Sequence, residues 1–414
     1  MGQVTDLDTF SALLTPEGQE LLAALRDHDP ADDLAAATRL RRTHAAPLVS
    51  AALSQARLRQ RAAAKFGDDA RRMYFTPNGV EQSTRVTVAT HRAARLAALG
   101  VRTLADLCSG IGGDALALAR AGISVLAVDR DPLACAAARA NAEALGLAEL
   151  IEVRCADVTE VDTAGFDAVF VDPARRTKAP TRGAAHSASA RGGGRATGGR
   201  IFDPEAYSPP LSWAVEAART APHAALKIAP GVPHEALPED AETEWISDGG
   251  DVKEAVVWFG ASVTPGGRRA TLLPGGATLL GAGLPDPEPG PVGRWLYEPD
   301  GAVIRAHLVA DVAQQVGGRL IDPTIAYITA DELTQTPYAA AYEITDVLPF
   351  NVKKLRALLR ARGIGIAEIK KRGSAVSPEE LRKKLKLEGK NSCTIILTRV
   401  AGRPSMLLGR PVRA

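Results

Sequence analysis

Asp106-Leu107-Cys108-Ser109-Gly110-Ile111-Gly112-Gly113-Asp114 stands between two apolar runs, and its reading decides the fold. Thr103-Leu104-Ala105 precedes it and Ile123-Ser124-Val125-Leu126-Ala127-Val128-Asp129 follows. Glycines are needed where the backbone must turn sharply and let a ligand approach, because no Cβ stands in the way. The pattern predicts a strand, a glycine loop, and a helix starting at Asp114 with that residue as its cap. The alternation continues outward, with a helical run at 132–145 and apolar runs at 150–155, 166–172, 223–229 and 251–260. Strands alternating with helices of this length predict βαβ units and a mainly parallel, Rossmann-like sheet. Unbroken apolar strands belong to sheets covered on both faces. The α/β domain is expected to span 100–262.

Four acids stand at the ends of successive strands around the loop: Asp106, Asp129, Asp157 and Asp172. The loop alone does not choose a ligand, since Gly110-x-Gly112-x-x-Ala115 also fits a dinucleotide fingerprint. The flanks decide. Asp106 lies four residues before the first glycine, where a carboxylate can receive the cationic amino group of a methionine moiety but would repel a pyrophosphate. Asp129, with Arg130 beside it, stands about twenty residues after the loop, the place of a carboxylate that accepts from ribose hydroxyls. Asp157 is placed to accept from an adenine amine. Asp172-Pro173-Ala174-Arg175-Arg176 follows the fourth strand, where open α/β sheets put their substrates. Any one of these acids could instead be a helix cap. Cys108 and Ser109 have no histidine near them in sequence to activate a nucleophile.

The rest of the 414 residues frames this domain. Hydrophobic residues make up 46% and charged residues 24%, close to globular averages, so a sizeable core is available. No run approaches the roughly 18–20 apolar residues of a membrane span, and no basic and apolar leader opens the chain. The expected location is cytoplasmic, with no membrane partner. Four scattered cysteines without a C-x-x-C pair speak against a metal site or a disulfide framework. Residues 1–99 are Ala-, Leu- and Arg-rich, and predict a helical N-terminal domain of four or five helices. Helix starts are signalled at Thr15-Pro16 and Asp29-Pro30, while Tyr74 to Gly79 reads as a break before a helix near Val80. Residues 177–200 are a Gly-rich insert without periodicity, read as disordered, and the stretch 174–202 carries seven Arg or Lys and no acid.

Residues 263–414 form a Gly- and Pro-rich linker and a last α/β module. Net charge is only +2, yet 351–390 holds thirteen Lys or Arg against four Glu. A basic module on an otherwise acidic chain points to a polyanionic partner, though a solvated helical face would account for part of it.

The stretch 105–147 with these acids resembles the class I S-adenosylmethionine-dependent methyltransferases, and within them the trimethylguanosine-synthase-like group. Thr76-Pro77 sits where that group has a segment closing over the cofactor. Over its whole length, with FNVKKLRALLRARGIGIAEIKKRG near the end, the chain resembles bacterial class I methyltransferases that carry a C-terminal THUMP-like domain. The resemblance implies a seven-stranded cofactor sheet, S-adenosyl-L-methionine as donor and an RNA-binding C-terminus. It implies cofactor contacts at Thr76, Asp106, Gly110, Gly112, Gly113, Asp129, Arg130 and Asp157. It makes Asp172 and Pro173 the start of the catalytic-loop motif; Arg175 and Arg176, which follow, are read as pairing with a phosphate or carboxylate of the substrate, with sheet-edge salt bridging as the alternative. The loop departs from the Asp/Asn/Ser-Pro-Pro-aromatic pattern of enzymes that methylate base amines, since no aromatic is present to stack on a base. An RNA methyltransferase, a cofactor-binding RNA-binding protein without turnover, and a methyltransferase for a small molecule or protein all remain compatible with the sequence.

Overall fold

Parallel strands joined by helices dominate the first half of the chain, as the apolar runs require. A computed structural model describes residues 6–174 and 204–412, and the contacts divide it into two units, 1–242 with 256–266, and 243–255 with 267–414. The insert 177–200 and the two arginines Arg175 and Arg176 lie outside the described residues.

The first unit opens with six helices: α1 (Asp6–Leu13), α2 (Pro16–Ala24), α3 (Asp33–Leu40), α4 (Ala46–Phe66), α5 (Pro77–Gln82) and α6 (Val86–Ala98). Thr15 caps α2 as its sequence signals, and Asp29 caps a short 3-10 turn. The break before Val80 is shorter than expected, because Thr76 accepts from the Gly79 N–H at 2.9 Å and Pro77 opens α5 at its first position. The strands follow: β1 (Thr103–Leu107), β2 (Ser124–Asp129), β3 (Ile151–Cys155), β4 (Ala168–Val171) and β5 (His223–Ile228). They are linked by α7 (Gly113–Arg120), α8 (Pro132–Ala144) and α9 (Leu211–Arg219). All are parallel in the order β3-β2-β1-β4-β5. The chain therefore reverses its direction of winding between β1 and β4, and ligands of open α/β sheets bind outside the carboxyl ends of strands at such a point.

Residues 1–99, expected as a domain of their own, fall into the same compact unit as these strands. The physical reason is polar stitching. Asn141 of α8 is fully buried; its side-chain oxygen accepts from the Tyr74 N–H at 2.6 Å, and its amide donates to the carbonyls of Tyr74 at 3.1 Å and Ile111 at 3.0 Å. Gln55 of α4 brackets Phe75 the same way, donating to its carbonyl at 3.3 Å and accepting from its N–H at 3.1 Å. The segment ahead of α5 is thus tied to the glycine loop on one side and to the helices on the other.

The boundary between the units runs through β6 (Glu242–Asp248) and β7 (Asp251–Gly260). In the second unit β6 pairs parallel with β8 (Arg268–Leu273), and β8 pairs antiparallel with β9 (Ala277–Leu280). β6 was not legible because Glu242 and Glu244 interrupt its apolar pattern. Both are buried, with Glu242 paired to Arg95 at 2.7 Å and Glu244 accepting from Thr271 at 2.5 Å.

The second unit continues with β10 (Trp295–Pro299), α10 (Gly301–Arg305), α11 (Val309–Gln315), β11 (Arg319–Asp322) and β12 (Ile325–Ala330). Its last part is β13 (Ala339–Pro349), α12 (Val352–Ala361), β14 (Ile364–Lys371), α13 (Pro378–Leu385), β15 (Asn391–Val400) and β16 (Arg403–Pro411). The strands form a seven-stranded sheet, β11-β12-β10-β13-β16-β15-β14, in which only β14 and β15 run parallel. Asn351 and Ser377 cap α12 and α13. Leu355, Leu359, Leu381 and Leu385 bury the apolar stripe of the two helices against Ile395, Leu397, Met406 and Leu408.

Replacing Asn141 by alanine leaves the buried Tyr74 N–H without its acceptor. Urea unfolding is expected to show a loss of about 1–3 kcal/mol, and unchanged stability would mean that the stitching is dispensable.

Candidate active site

Leu107 ends β1, and the chain then enters the left-handed region at Cys108, Gly110 and Gly112, with φ of +68°, +57° and +83°. At Gly112 a Cβ would meet the Ala138 Cβ of α8 at an ordinary contact distance of 3.4 Å, so it is the left-handed turn that favours glycine there. Gly112, not Asp114, occupies the cap of α7 and makes no side-chain cap bond. Asp114 pairs with Arg92 of α6, whose guanidinium lies 4.3 Å from the Phe170 ring. Gly113 lies against the Phe66 ring.

The glycine loop and the end of β2 are joined directly. Asp129 accepts from the Gly110 N–H at 2.9 Å with one carboxylate oxygen and from the Asp131 N–H at 2.9 Å with the other. Each oxygen retains a lone pair for a further donor. Asp157 is exposed at the start of a short 3-10 turn, where Thr159 donates to it from its N–H at 3.0 Å and its hydroxyl at 2.8 Å. Those two bonds hold its carboxyl below the usual range. Arg130 is close enough to act electrostatically on both Asp157 and Cys108. Thr76 spends its hydroxyl on capping α5. That helix rests on the loop, since a Cβ added at Gly79 would stand 2.6 Å from Ile111 Cγ2.

Asp106 is 1% exposed, and neither of its carboxylate oxygens has a hydrogen-bond partner among the described residues. Burial, with the charge of Asp172 next in effect and that of Asp129 also adding, raises its carboxyl to about 7. A buried carboxylate without a donor is costly, so the site fits a ligand that brings a cation with N–H donors. Asp172 follows β4, its N–H bonded to the Leu107 carbonyl at 3.1 Å, with the buried Pro173 next to it. Its carboxylate accepts from Lys227 Nζ at 2.6 Å, and the same ammonium donates to Thr84 at 2.8 Å. Lys227, on β5 and 3% exposed, was missed in the sequence, where its one signal is a lysine inside an otherwise apolar strand. The Cys108 thiol is pushed up by burial and by Asp129, Asp172 and Asp106, which leaves it inert as a nucleophile. Among the described residues no group of acids, histidines and cysteines could hold a metal, and no helix is long and apolar enough to cross a membrane.

The sequence is 34% identical, over 354 residues, to an uncharacterized S-adenosylmethionine-dependent methyltransferase of Mycobacterium tuberculosis, in the H37Rv and CDC 1551 strains alike. The match covers 83% of this chain and 90% of that relative. The chain belongs to the S-adenosylmethionine-dependent methyltransferases.

Family models agree along the methyltransferase. One described as a methyltransferase domain matches residues 104–189, one described as THUMP domain-like matches 339–411, and a domain of unknown function matches 6–62. The fold is shared with a crystal structure from Porphyromonas gingivalis W83 assigned as a methyltransferase, at a TM-score of 0.74 and 21% identity, covering 95% of this chain and 99% of that one. The protein is a class I enzyme with a C-terminal THUMP-like domain, and S-adenosylmethionine is its cofactor.

Asp106 titrates higher in the folded chain than the ~3.9 of an unfolded aspartate. The folded methyltransferase therefore holds the proton between about pH 4 and 7, and ionisation costs stability as pH rises through that window. Asp106→Asn is expected to gain on the wild type in thermal melts as pH goes from 5 to 7, at no more than about 1.4 kcal/mol for each pH unit, the limit set by a single proton. Parallel pH profiles for the two proteins would remove the buried-charge reading.

Proposed function

We propose that this methyltransferase methylates RNA, holding the cofactor with Asp106, Gly110, Gly112, Gly113, Asp129, Arg130, Asp157 and Thr76, and orienting the acceptor with Asp172 and Pro173. When bound, S-adenosylmethionine supplies a methyl group on a sulfonium, so the charge that drives transfer is already on the donor. The protein's task is then alignment, which can supply much of the rate. Asp106 takes the ammonium of the methionine moiety, which offers both the charge and the N–H donors its carboxylate lacks. Asp129, keeping its loop contacts, accepts from the ribose hydroxyls, and Asp157 from the adenine amine. Thr76 keeps α5 against the glycine loop, over the cofactor. Lys227 holds Asp172 in one orientation through their ion pair, so that its carboxylate accepts a hydrogen bond from the acceptor atom. Arg175 and Arg176 pair with a phosphate of the substrate, a role that rests on the sequence alone.

The observation that carries the RNA reading is the outer face of α12 and α13. Lys353, Lys354, Arg356, Arg360, Lys383 and Lys384 are exposed there, and no carboxylate pairs with them among the described residues. Such a face matches a phosphate backbone.

Tritium from labelled S-adenosylmethionine is expected to enter one RNA species in total RNA from cells lacking this protein, and Asp172→Asn is expected to abolish it while binding the cofactor. No label, with cofactor binding intact, would shift the reading to a protein or small-molecule acceptor or to a protein without turnover. Separately, Asp129→Ala removes two charge-assisted hydrogen bonds to the ribose, worth ~1.5–3 kcal/mol each at most. Calorimetry should show weaker S-adenosylmethionine binding, and an unchanged affinity would end the ribose assignment.

A further inference from the structure

We propose that the helical segment of the first unit carries a second ligand site, for a phosphate ester, in the cavity ringed by Arg26, Arg59, Arg71 and Arg72. The cavity measures about 600 Å³, large enough for a phosphate with its attached nucleoside. It lies among α2, α4, the 3-10 turn at 67–71 and the end of α8.

The four guanidiniums are held differently from three other arginines of this unit. Arg57, Arg61 and Arg120 each face a carboxylate, on Asp33 at 2.8 Å, Glu81 at 3.6 Å and Asp69 at 2.7 Å. None of the four around the cavity has an ion pair among the described residues. Arg59 is half-buried, donating to the Met73 carbonyl at 2.8 Å and the Arg72 carbonyl at 3.4 Å, with its guanidinium 5.1 Å from the centre of the Tyr74 ring. Arg72 donates to the Ala144 carbonyl. Arg71 is exposed and, unlike these two, has no such backbone duty among the described residues; Arg26 has none there either. Asp27 is the one carboxylate lining the cavity, and His28 is tied to Asp33 at 2.7 Å.

Four cations against one acid leave a surplus of positive charge around one concave space. Burial lowers the Arg59 guanidinium from its ordinary value, and the charge of Arg26 adds to that. A divalent oxyanion relieves this repulsion, and the planar forks of arginine match phosphate oxygens in pairs. The volume beyond the phosphate, beside the Tyr74 ring and the Gln60 amide, suits the rest of an ester and exceeds what a bare ion fills. This site is separate from the cofactor loop and does not depend on methyl transfer to RNA.

Calorimetric titration of the full chain with 5′-AMP, with adenosine as the uncharged control, and with a single-stranded RNA of roughly ten nucleotides tests it. The comparison is with the double variant Arg26→Gln, Arg71→Gln, after a melting curve has shown it folded like the wild type. Binding of 5′-AMP but not adenosine, weakened about tenfold in the variant and partly restored by Arg26→Lys, Arg71→Lys, assigns a free nucleotide. Binding of the RNA alone, weakened in the variant and with a shallower salt dependence, assigns a backbone phosphate. No binding of either ligand, or equal binding by wild type and variant, overturns the proposal whatever the enzyme's acceptor proves to be.

Discussion

A carboxylate buried without a donor is the constraint around which the first unit is arranged. Asp106 sits at the carboxyl end of the central strand, with a second acid, Asp172, at the end of the strand beside it. Two such charges close together and out of water are unfavourable unless cations share the space. Lys227 supplies one from β5, bound to Asp172, and Arg92 acts on Asp106 from α6. Neither makes a hydrogen bond to Asp106, so the carboxyl stays close to its protonation midpoint near neutral pH. A cationic group with N–H donors would supply both the charge and the hydrogen bonds that this carboxylate lacks.

The helical segment takes its place from the same region. Its last helix sends Arg92 under β4, the turn before that helix brings Thr84 to Lys227, and the chain before α5 is fastened to the glycine loop through Asn141. Removing these helices would expose the ion pairs at the centre of the sheet as well as an apolar face. For that reason the first hundred residues and the parallel strands make one compact unit. The segment ahead of α5 is pinned at both backbone groups of Tyr74 and of Phe75.

The C-terminal module solves a different problem. α12 and α13 each bury two leucines against β15 and β16 and turn lysines and arginines outward. Four leucines suffice to anchor two short helices of 10 and 8 residues to a sheet, which leaves their remaining positions free to carry charge. Capping by Asn351 and Ser377 compensates for the poor intrinsic stability of helices this short.

The sequence by itself determined what depends on period and on near neighbours. Apolar runs of four to six residues set β1 to β5, and the glycine spacing set the turn after β1. Thr76-Pro77 marked a helix start once read as cap and first position. The tertiary structure alone decided the partners of buried charge. Lys227 reaches Asp172 across 55 residues and Thr84 across 143, and Asp114 was taken from capping by Arg92, 22 residues away. β6 was hidden because Glu242 and Glu244 look soluble until Arg95 and Thr271 are brought to them. Backbone geometry follows from residues within one turn or one strand, whereas the compensation of a buried charge is set by whatever the fold carries into contact with it.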